Sequence, residues 1–153
     1  MIDVTLKDGS KIQVEKGTSV IDVANMISQG LARNAVLAEV DGVVTELGTA
    51  LDKDCTLNIL TFDSEEGKKA YRHTTSHILA QAVKRLYKDV RLAIGPATEN
   101  GFYYDFDTEH RFTPEDLEKI EEEMAKIVKE NYELEKFILP RDEAIKLLKD
   151  KDE

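Results

Sequence analysis

The order of apolar and polar positions predicts a first module of strands around one helix. Residues Ile2 to Leu6 alternate with the period of a strand, and Asp8-Gly9 is typical of a hairpin turn. An apolar helical stripe runs from Val20 to Leu31, and Ser19 stands at its start as a cap. Further strands are predicted over residues 11–14, 35–40, 43–44 and 57–61, with a second Asp-Gly turn at 41–42. This order favours one helix packed across a mixed sheet, an α+β, ubiquitin-like β-grasp over residues 1–62.

A second module is predicted over residues 63–153, and its elements are longer and less regular. A capped helix should start at Thr113-Pro114 and run to Asn131, with an apolar stripe at Leu117, Ile120, Met124, Ile127 and Val128. The other predictions are helices over 68–87 and 140–148 and short strands over 90–94, 102–106 and 134–139. So few strands make a marginal sheet, and we expect this α+β module to be truncated.

Composition limits the classes of function. The chain has 153 residues, 41% of them hydrophobic, and a formal net charge of -10. These values exclude a disordered chain and a generic basic protein that coats nucleic acid. One cysteine excludes an internal disulfide, and no apolar run approaches the ~20 residues of a membrane span. The N-terminus lacks a signal-peptide pattern, so we expect a cytoplasmic protein with no membrane partner.

The main candidate chemistry is His73-Thr-Thr-Ser-His77 on the predicted long helix. Histidines at i and i+4 lie about 40° apart around a helix and can converge on one substrate or metal ion. The large apolar residues of this helix lie on the opposite side. Two satisfied or exposed histidines remain the simpler reading of so short a motif. Neither His110 nor Cys55 has ligand spacing, so a complete metal site is not expected, and Ser76 beside His77 is only sequence adjacency.

Positive charge is concentrated on the same helix. Residues 68–91 contain seven basic residues and one acidic residue, whereas residues 92–153 carry a net charge of -9. A solvated helix face explains such a cluster as well as a phosphate-facing surface does. Lys84 and Arg85 are our candidates for the second interpretation.

A glycine-bracketed loop and an aromatic strand form the third signal. Strand alternation would direct Phe102, Tyr104 and Phe106 to one side, and Tyr103 to the other. These aromatic residues can be core, or a tyrosine and nearby backbone groups can line the histidine pocket. For that pocket we single out Gly95 and Tyr104 as substrate-binding candidates.

Together these segments resemble parts of a known family. The first module is similar to the TGS domain that threonyl-tRNA synthetases share with certain GTPases and guanosine-polyphosphate enzymes. The second resembles the beginning of the threonyl-tRNA synthetase editing domain, through Arg72-His-Thr-Thr-Ser-His-Ile-Leu79, Ala93-Ile-Gly-Pro96 and Gly101-Phe-Tyr-Tyr-Asp105. The resemblance covers essentially the whole chain.

The resemblance implies a role in hydrolysing serine wrongly esterified to threonine tRNA. One methyl group gives a binding pocket only about 10–200-fold discrimination, so a second, hydrolytic site is physically reasonable. His73 and His77 would supply half of the editing pocket and position or activate water. The other half in this family is a Cys-x-x-x-His pair, which these 153 residues lack. The implied partners are tRNA(Thr) and seryl-tRNA(Thr), with Lys84 and Arg85 facing the RNA.

The resemblance also implies what the chain would lack. We expect no cofactor in this segment, and ATP, magnesium and zinc in a catalytic core outside it. Related editing domains can hold zinc, but two histidines are half of a four-ligand set, so no tight zinc site is expected. A homodimer is implied for the full-length enzyme only. By itself the segment should lack ligase activity and a complete editing site.

Two other functions are compatible with parts of the sequence. Some nucleoside kinases of the uridine type carry similar segments before a phosphate-binding domain. Alternatively, both modules could be non-enzymatic and bind RNA or protein. The intact Thr-Thr-Ser and Gly-Phe-Tyr-Tyr-Asp runs favour the synthetase resemblance.

Overall fold

The computed structural model describes residues 1–134 and 137–151. The chain divides into two compact units, Met1–Arg72 and His73–Glu153. This division lies inside a long helix, Glu65–Leu86, whereas the sequence indicates a change of module at residue 62. Each unit has its own hydrophobic core.

A five-stranded mixed sheet forms the centre of the first unit. Its strands run in the order β2-β1-β7-β4-β5; β1 is parallel to β7, and the other pairs are antiparallel. Val20 and Val23 of the first helix are fully buried with the apolar strand residues, which confirms the predicted β-grasp. The elements are β1 (Ile2–Leu6), β2 (Lys11–Val14), β3 (Thr18–Ser19), α1 (Val20–Ile27), α2 (Gln29–Asn34), β4 (Ala35–Val40), β5 (Val43–Thr45), β6 (Ala50–Leu51) and β7 (Cys55–Thr61).

The predicted turn and cap of this unit are confirmed. Asp41 and Gly42 have φ angles of 52° and 78°, the left-handed pair that a two-residue hairpin turn requires. The Asp41 carboxylate also accepts a hydrogen bond of 2.9 Å from the Thr56 amide. At the start of α1, the Ser19 hydroxyl accepts the Asp22 amide at 3.2 Å. These local contacts were readable because their partners are close in sequence.

The prediction of one helix through Leu31 is wrong, because Ser28 divides the segment into α1 and α2. The Ser28 amide donates to the Ala24 carbonyl, which ends α1. Its hydroxyl accepts the amides of Gly30 and Leu31, which begins α2. A serine hydroxyl competes for backbone groups in this way, and apolar periodicity alone does not reveal it.

Short strands and helices form the described part of the second unit, to which the helix Glu65–Leu86 contributes its residues from His73 onward. The predicted strands over 90–94 and 102–106 are shorter than expected. Two backbone hydrogen bonds continue between Ala93-Ile94 and Asp105, but Pro96 has no N–H to extend a ladder. The elements are α3 (Glu65–Leu86), β8 (Arg91–Leu92), β9 (Ala97–Thr98), β10 (Gly101–Phe102), β11 (Phe106–Asp107), α4 (Pro114–Glu130) and α5 (Arg141–Asp150); β8 pairs with β11 and β9 with β10.

The core of this unit lies between α3 and α4. Buried residues from α3, α4 and the segment after α3 form it: Ala82, Val83, Val90, Ile120 and Ile127. The predicted capping box of Thr113 and Asp116 is present at the start of α4. Leu117 and Val128, which we assigned to the buried stripe, are exposed instead. The buried stripe of α4 is therefore narrower than its apolar pattern.

The strand predicted over residues 134–139 includes positions 135 and 136, which lie outside the described residues. The other four residues of that stretch form no strand. Within the described ranges, no helix is both long and apolar enough to cross a membrane.

The hydrophobic core of the first unit should be sensitive to truncation of Leu57, which is 2% exposed and lies on the central strand of the sheet. We expect Leu57→Ala to lower the free energy of unfolding of the first unit by about 2–5 kcal/mol, because it leaves a cavity. Urea denaturation followed by NMR signals of this unit measures the loss. Val44→Ala, on the exposed edge strand, is the matched control and should change stability by less than about 0.5 kcal/mol. Equal losses in the two variants would contradict this core.

Candidate functional site

The two histidines of α3 meet on its exposed side. Their Nε2 atoms are 3.1 Å apart, and their rings contact edge to face with centroids separated by 4.5 Å. At this distance one nitrogen must donate and the other must accept, so the pair shares one proton. The convergence predicted from the i, i+4 spacing is present. Ala82 and Val83 of the predicted apolar stripe are buried in the core, whereas Tyr71 and Leu86, which belong to the same predicted stripe, are exposed.

The surroundings of His77 disfavour its protonated form. Partial desolvation, and in second place the neighbouring His73, lower the pKa of His77. A histidine with a lowered pKa is neutral near pH 7 and can accept a proton. His77 is therefore a candidate for general base chemistry.

Ser76 connects the histidine helix to the glycine loop. Its side chain is fully buried, and its Oγ lies 2.7 Å from the His73 carbonyl and 2.9 Å from the Gly95 carbonyl. A hydroxyl between two carbonyl oxygens donates its proton to them, which is a structural role and not that of a nucleophile. Sequence reasoning considered Ser76 only as a nucleophile and missed this link. Serine within a helix often donates its hydroxyl to the carbonyl three or four residues earlier, and this tendency could have indicated a structural role for Ser76.

The ring of Tyr104 packs directly against Gly95. A Cβ added at Gly95 would lie 2.0 Å from Cδ2 of Tyr104, so no other residue fits without moving this ring. The Tyr104 ring also stacks on Phe106, with a centroid distance of 5.0 Å and an interplanar angle of 19°. Tyr104 is half-buried, and Tyr103 is exposed, as the predicted strand alternation requires.

A cleft of about 420 Å³ lies beside these groups. Four of the six residues predicted for the site line this cleft, whereas His73 contacts His77 and Gly95 lies against Tyr104. Gln81 and Leu92 are lining residues that sequence reasoning missed, because nothing in their spacing distinguishes them. The lining includes His77, Gln81, Lys84, Arg85, Leu92 and Tyr104.

Arg85 is held by two carboxylates at the edge of this cleft. Its guanidinium binds both oxygens of Glu130, at 2.9 and 2.7 Å, and Glu123 at 3.2 Å. These hydrogen bonds raise the pKa of Arg85, and Arg85 lowers the pKa of Glu130. The arginine thus joins α3 to α4, and its charge is compensated within the unit. Lys84 has no ion pair with any of the described residues.

The remaining candidate ligands lie elsewhere. His110 is 2.9 Å from the Asp116 carboxylate and packs on the Tyr87 ring. Cys55 is buried in the core of the first unit. Over residues 1–134 and 137–151, no three His, Cys, Asp or Glu side chains form a group that could hold a metal ion. His73 contacts His77, and His77 lines a small cleft, which is an arrangement that can transfer a proton.

Gly95 tests the packing of the cleft wall. We expect Gly95→Ala to destabilise the second unit by about 1–3 kcal/mol, because the added methyl group overpacks the Tyr104 ring. Urea denaturation and the ring proton shifts of Tyr104 measure the change. Gly101→Ala is the matched control, since a Cβ there has open space. Unchanged stability and unchanged Tyr104 shifts in Gly95→Ala would contradict the contact.

The histidine pair should make stability depend on pH. Because the pKa of His77 is lowered on folding, the unfolded chain binds more protons as pH falls through 6.5. The contribution of His77 to the free energy of unfolding should be constant above pH 6.5 and should become destabilising below it. His73→Ala should raise the pKa of His77 towards its ordinary value without reaching it, because desolvation is the larger cause of the shift. Imidazole NMR titration measures both effects, and an unchanged or further lowered pKa in His73→Ala would contradict the coupling.

Comparisons with known proteins give a family match for the first unit and relatives that align with the whole chain. Residues 2–61 match the family described as TGS domain. Over all 153 residues the chain is 63% identical to the threonine–tRNA ligase of Acetivibrio thermocellus and 63% identical to that of Clostridium tetani. It is 61% identical, over 150 residues and 98% of its length, to that of Caldanaerobacter subterraneus. The chain spans 24%, 24% and 23% of the lengths of these three relatives. Residues 2–61 therefore match the TGS domain family, and the whole chain is similar in sequence to about a quarter of the length of threonine–tRNA ligases.

Proposed function

We propose that this chain is the part of a threonyl-tRNA synthetase that contributes to hydrolytic editing of seryl-tRNA(Thr). The contact between His73 and His77 beside the cleft is the observation that carries this proposal. Whole-length similarity to threonine–tRNA ligases favours it over a nucleoside kinase that carries a similar front end.

Hydrolysis of the seryl ester requires an activated water molecule. In the reaction we propose, water adds to the carbonyl carbon of the seryl ester, and its proton passes to a neutral imidazole of the pair. The ester C–O bond then breaks, and the ribose oxygen leaves with a proton as the terminal hydroxyl of the tRNA. A histidine pair that shares one proton supports this step, because one ring can accept while the other donates.

Tyr104 and Lys84 have supporting roles in this proposal. The Tyr104 ring lines the cleft as a flat wall against which an adenine or ribose of the RNA end can pack. Lys84 lines the same cleft with a cationic side chain, and a phosphate of the terminal nucleotides is its natural partner. Arg85, held by Glu123 and Glu130, positions α3 and is the weaker candidate for RNA contact.

The wider context belongs to the same proposal. In the full-length enzyme, tRNA(Thr) and seryl-tRNA(Thr) would be the partners, and ATP, magnesium and zinc would serve the catalytic core outside this chain. A homodimeric enzyme in the cytoplasm is the setting that the resemblance implies. The segment alone should lack ligase activity, and its half of the editing pocket should deacylate poorly.

A chimeric enzyme provides the test. This chain would replace the matching quarter of the Acetivibrio thermocellus ligase, and hydrolysis of seryl-tRNA(Thr) would be measured. We expect the chimera to deacylate, and His73→Ala or His77→Ala to lower the rate about 100-fold or more, as for loss of a general base. Threonylation by the same variants should be unchanged.

His110→Ala is the matched control, because it removes the third histidine of the chain without touching the cleft. Deacylation at an undiminished rate in the variant that lacks both His73 and His77 would refute the editing role. Equal losses in His110→Ala and His77→Ala would show that the effect comes from folding.

A further inference from the structure

The five-stranded sheet of the first unit carries a cleft on the face opposite its core. Thr5, Glu39 and Asn58 line this cleft and alternate along their strands with residues of the buried core, so their side chains lie on the other face of the sheet. The cleft has a volume of about 400 Å³. Sites for small molecules typically measure about 300–1,000 Å³, so this cleft has room for a small ligand.

Three adjacent strands bring a lysine, an asparagine and a glutamate to this cleft. Glu39 of β4 pairs with Asn58 of β7. Leu6, the last residue of β1, pairs with Leu57 on the other side of β7. Lys7 directly follows Leu6 and lines the cleft together with Asn58 and Glu39. Because neighbouring strands lie about 4.8 Å apart, the backbones that supply the lysine and the glutamate are separated by about 10 Å.

The side-chain amide of Asn58 is oriented by Glu39. Its Nδ2 donates a hydrogen bond of 2.8 Å to Oε2 of Glu39. A carboxylate can only accept, so the amide nitrogen and not the amide oxygen must face it. Oδ1 of Asn58 and Oε1 of Glu39 accept no hydrogen bond from another of the described residues. Two neighbouring acceptor oxygens are therefore available to a cationic donor such as an ammonium group.

The two charges that flank Asn58 are not compensated within the described part of the chain. Neither Lys7 nor Glu39 forms an ion pair there, whereas Lys53 and Asp41 of the same unit lie 3.5 Å apart. A small ligand that satisfies both charges must carry an anionic and a cationic group close together. A free α-amino acid has this distribution of charge. A peptide does not, because its chain separates the two terminal charges.

We propose that this cleft binds a free α-amino acid as a zwitterion. The α-ammonium group donates to Oε1 of Glu39 and to Oδ1 of Asn58, and the α-carboxylate accepts from the ammonium group of Lys7, whose flexible stem lets it reach across the cleft. The hydroxyls of Thr5 and Thr56 also line the cleft and favour a short polar side chain on the ligand. The site belongs to the first unit alone, so it goes beyond the editing function and does not depend on it.

NMR titration of the 153-residue chain with L-serine tests the site. We expect saturable shifts of the Asn58 side-chain amide and of the backbone amides of Thr5 and Glu39, with a dissociation constant of about 1 mM for a ligand of so few atoms. Lys7→Gln and Glu39→Gln should each weaken binding about 10-fold or more, because each removes a charge-assisted hydrogen bond. Glu39→Gln keeps an acceptor for the Asn58 amide, so it tests the charge without removing the local contact.

Matched variants and ligand analogues separate this site from a general effect of charge. Glu15→Gln and Lys16→Gln remove the same two charges from exposed positions of the first unit that do not line the cleft, and they should leave serine binding unchanged. N-acetylserine lacks the ammonium group and serinamide lacks the carboxylate. Each analogue should therefore bind about 10-fold more weakly than serine, or weaker still.

Three results would overturn the proposal. The first is the absence of a saturable shift at tenfold the expected dissociation constant. The second is binding of either analogue as tight as that of serine, because the cleft would then recognise one charge and not a zwitterion. The third is an equal loss of binding in the cleft variants and in Glu15→Gln or Lys16→Gln. The amide spectra recorded in the same titrations verify that each variant is folded.

Discussion

The candidate site depends on the two hydrogen bonds that the Ser76 hydroxyl donates. This hydroxyl is fully buried and lies between the carbonyl oxygens of His73 and Gly95, so it holds the glycine loop against α3. Gly95 in turn lies under the Tyr104 ring, where a Cβ would not fit. The position of Tyr104 beside His77 therefore follows from one hydrogen-bonded side chain and one missing methyl group. Loss of a buried hydrogen bond of this kind costs about 1–3 kcal/mol.

Charge has two different uses in the second unit. Arg85 binds Glu123 and Glu130 and joins α3 to α4, so its charge stabilises the fold. Lys84, the preceding residue, lines the cleft beside His77 and has no ion pair with a carboxylate among the described residues. Successive residues of a helix point in directions about 100° apart, so these two side chains have different environments. Adjacent basic residues in the sequence are therefore not equivalent as candidates for RNA contact.

Local patterns predicted the elements whose partners are near in sequence. The Asp41-Gly42 turn, the Ser19 cap and the Thr113–Asp116 capping box are all present, because each is formed within a few residues. The break at Ser28 and the short strands around Pro96 were missed, since apolar periodicity does not register competition for backbone hydrogen bonds. The exposure of Leu117 and Val128 was missed because it depends on what covers α4.

The sequence by itself determined the β-grasp order of the first unit, the i, i+4 histidine pair and the local excess of positive charge. Helical geometry is enough to bring His73 and His77 onto one face, so their 3.1 Å contact needed no distant partner. Only the tertiary structure decided that Ser76 is a buried link, that Arg85 is compensated and that Gly95 lies against Tyr104. Each of these contacts joins residues between 9 and 45 positions apart, and packing determines which of them meet.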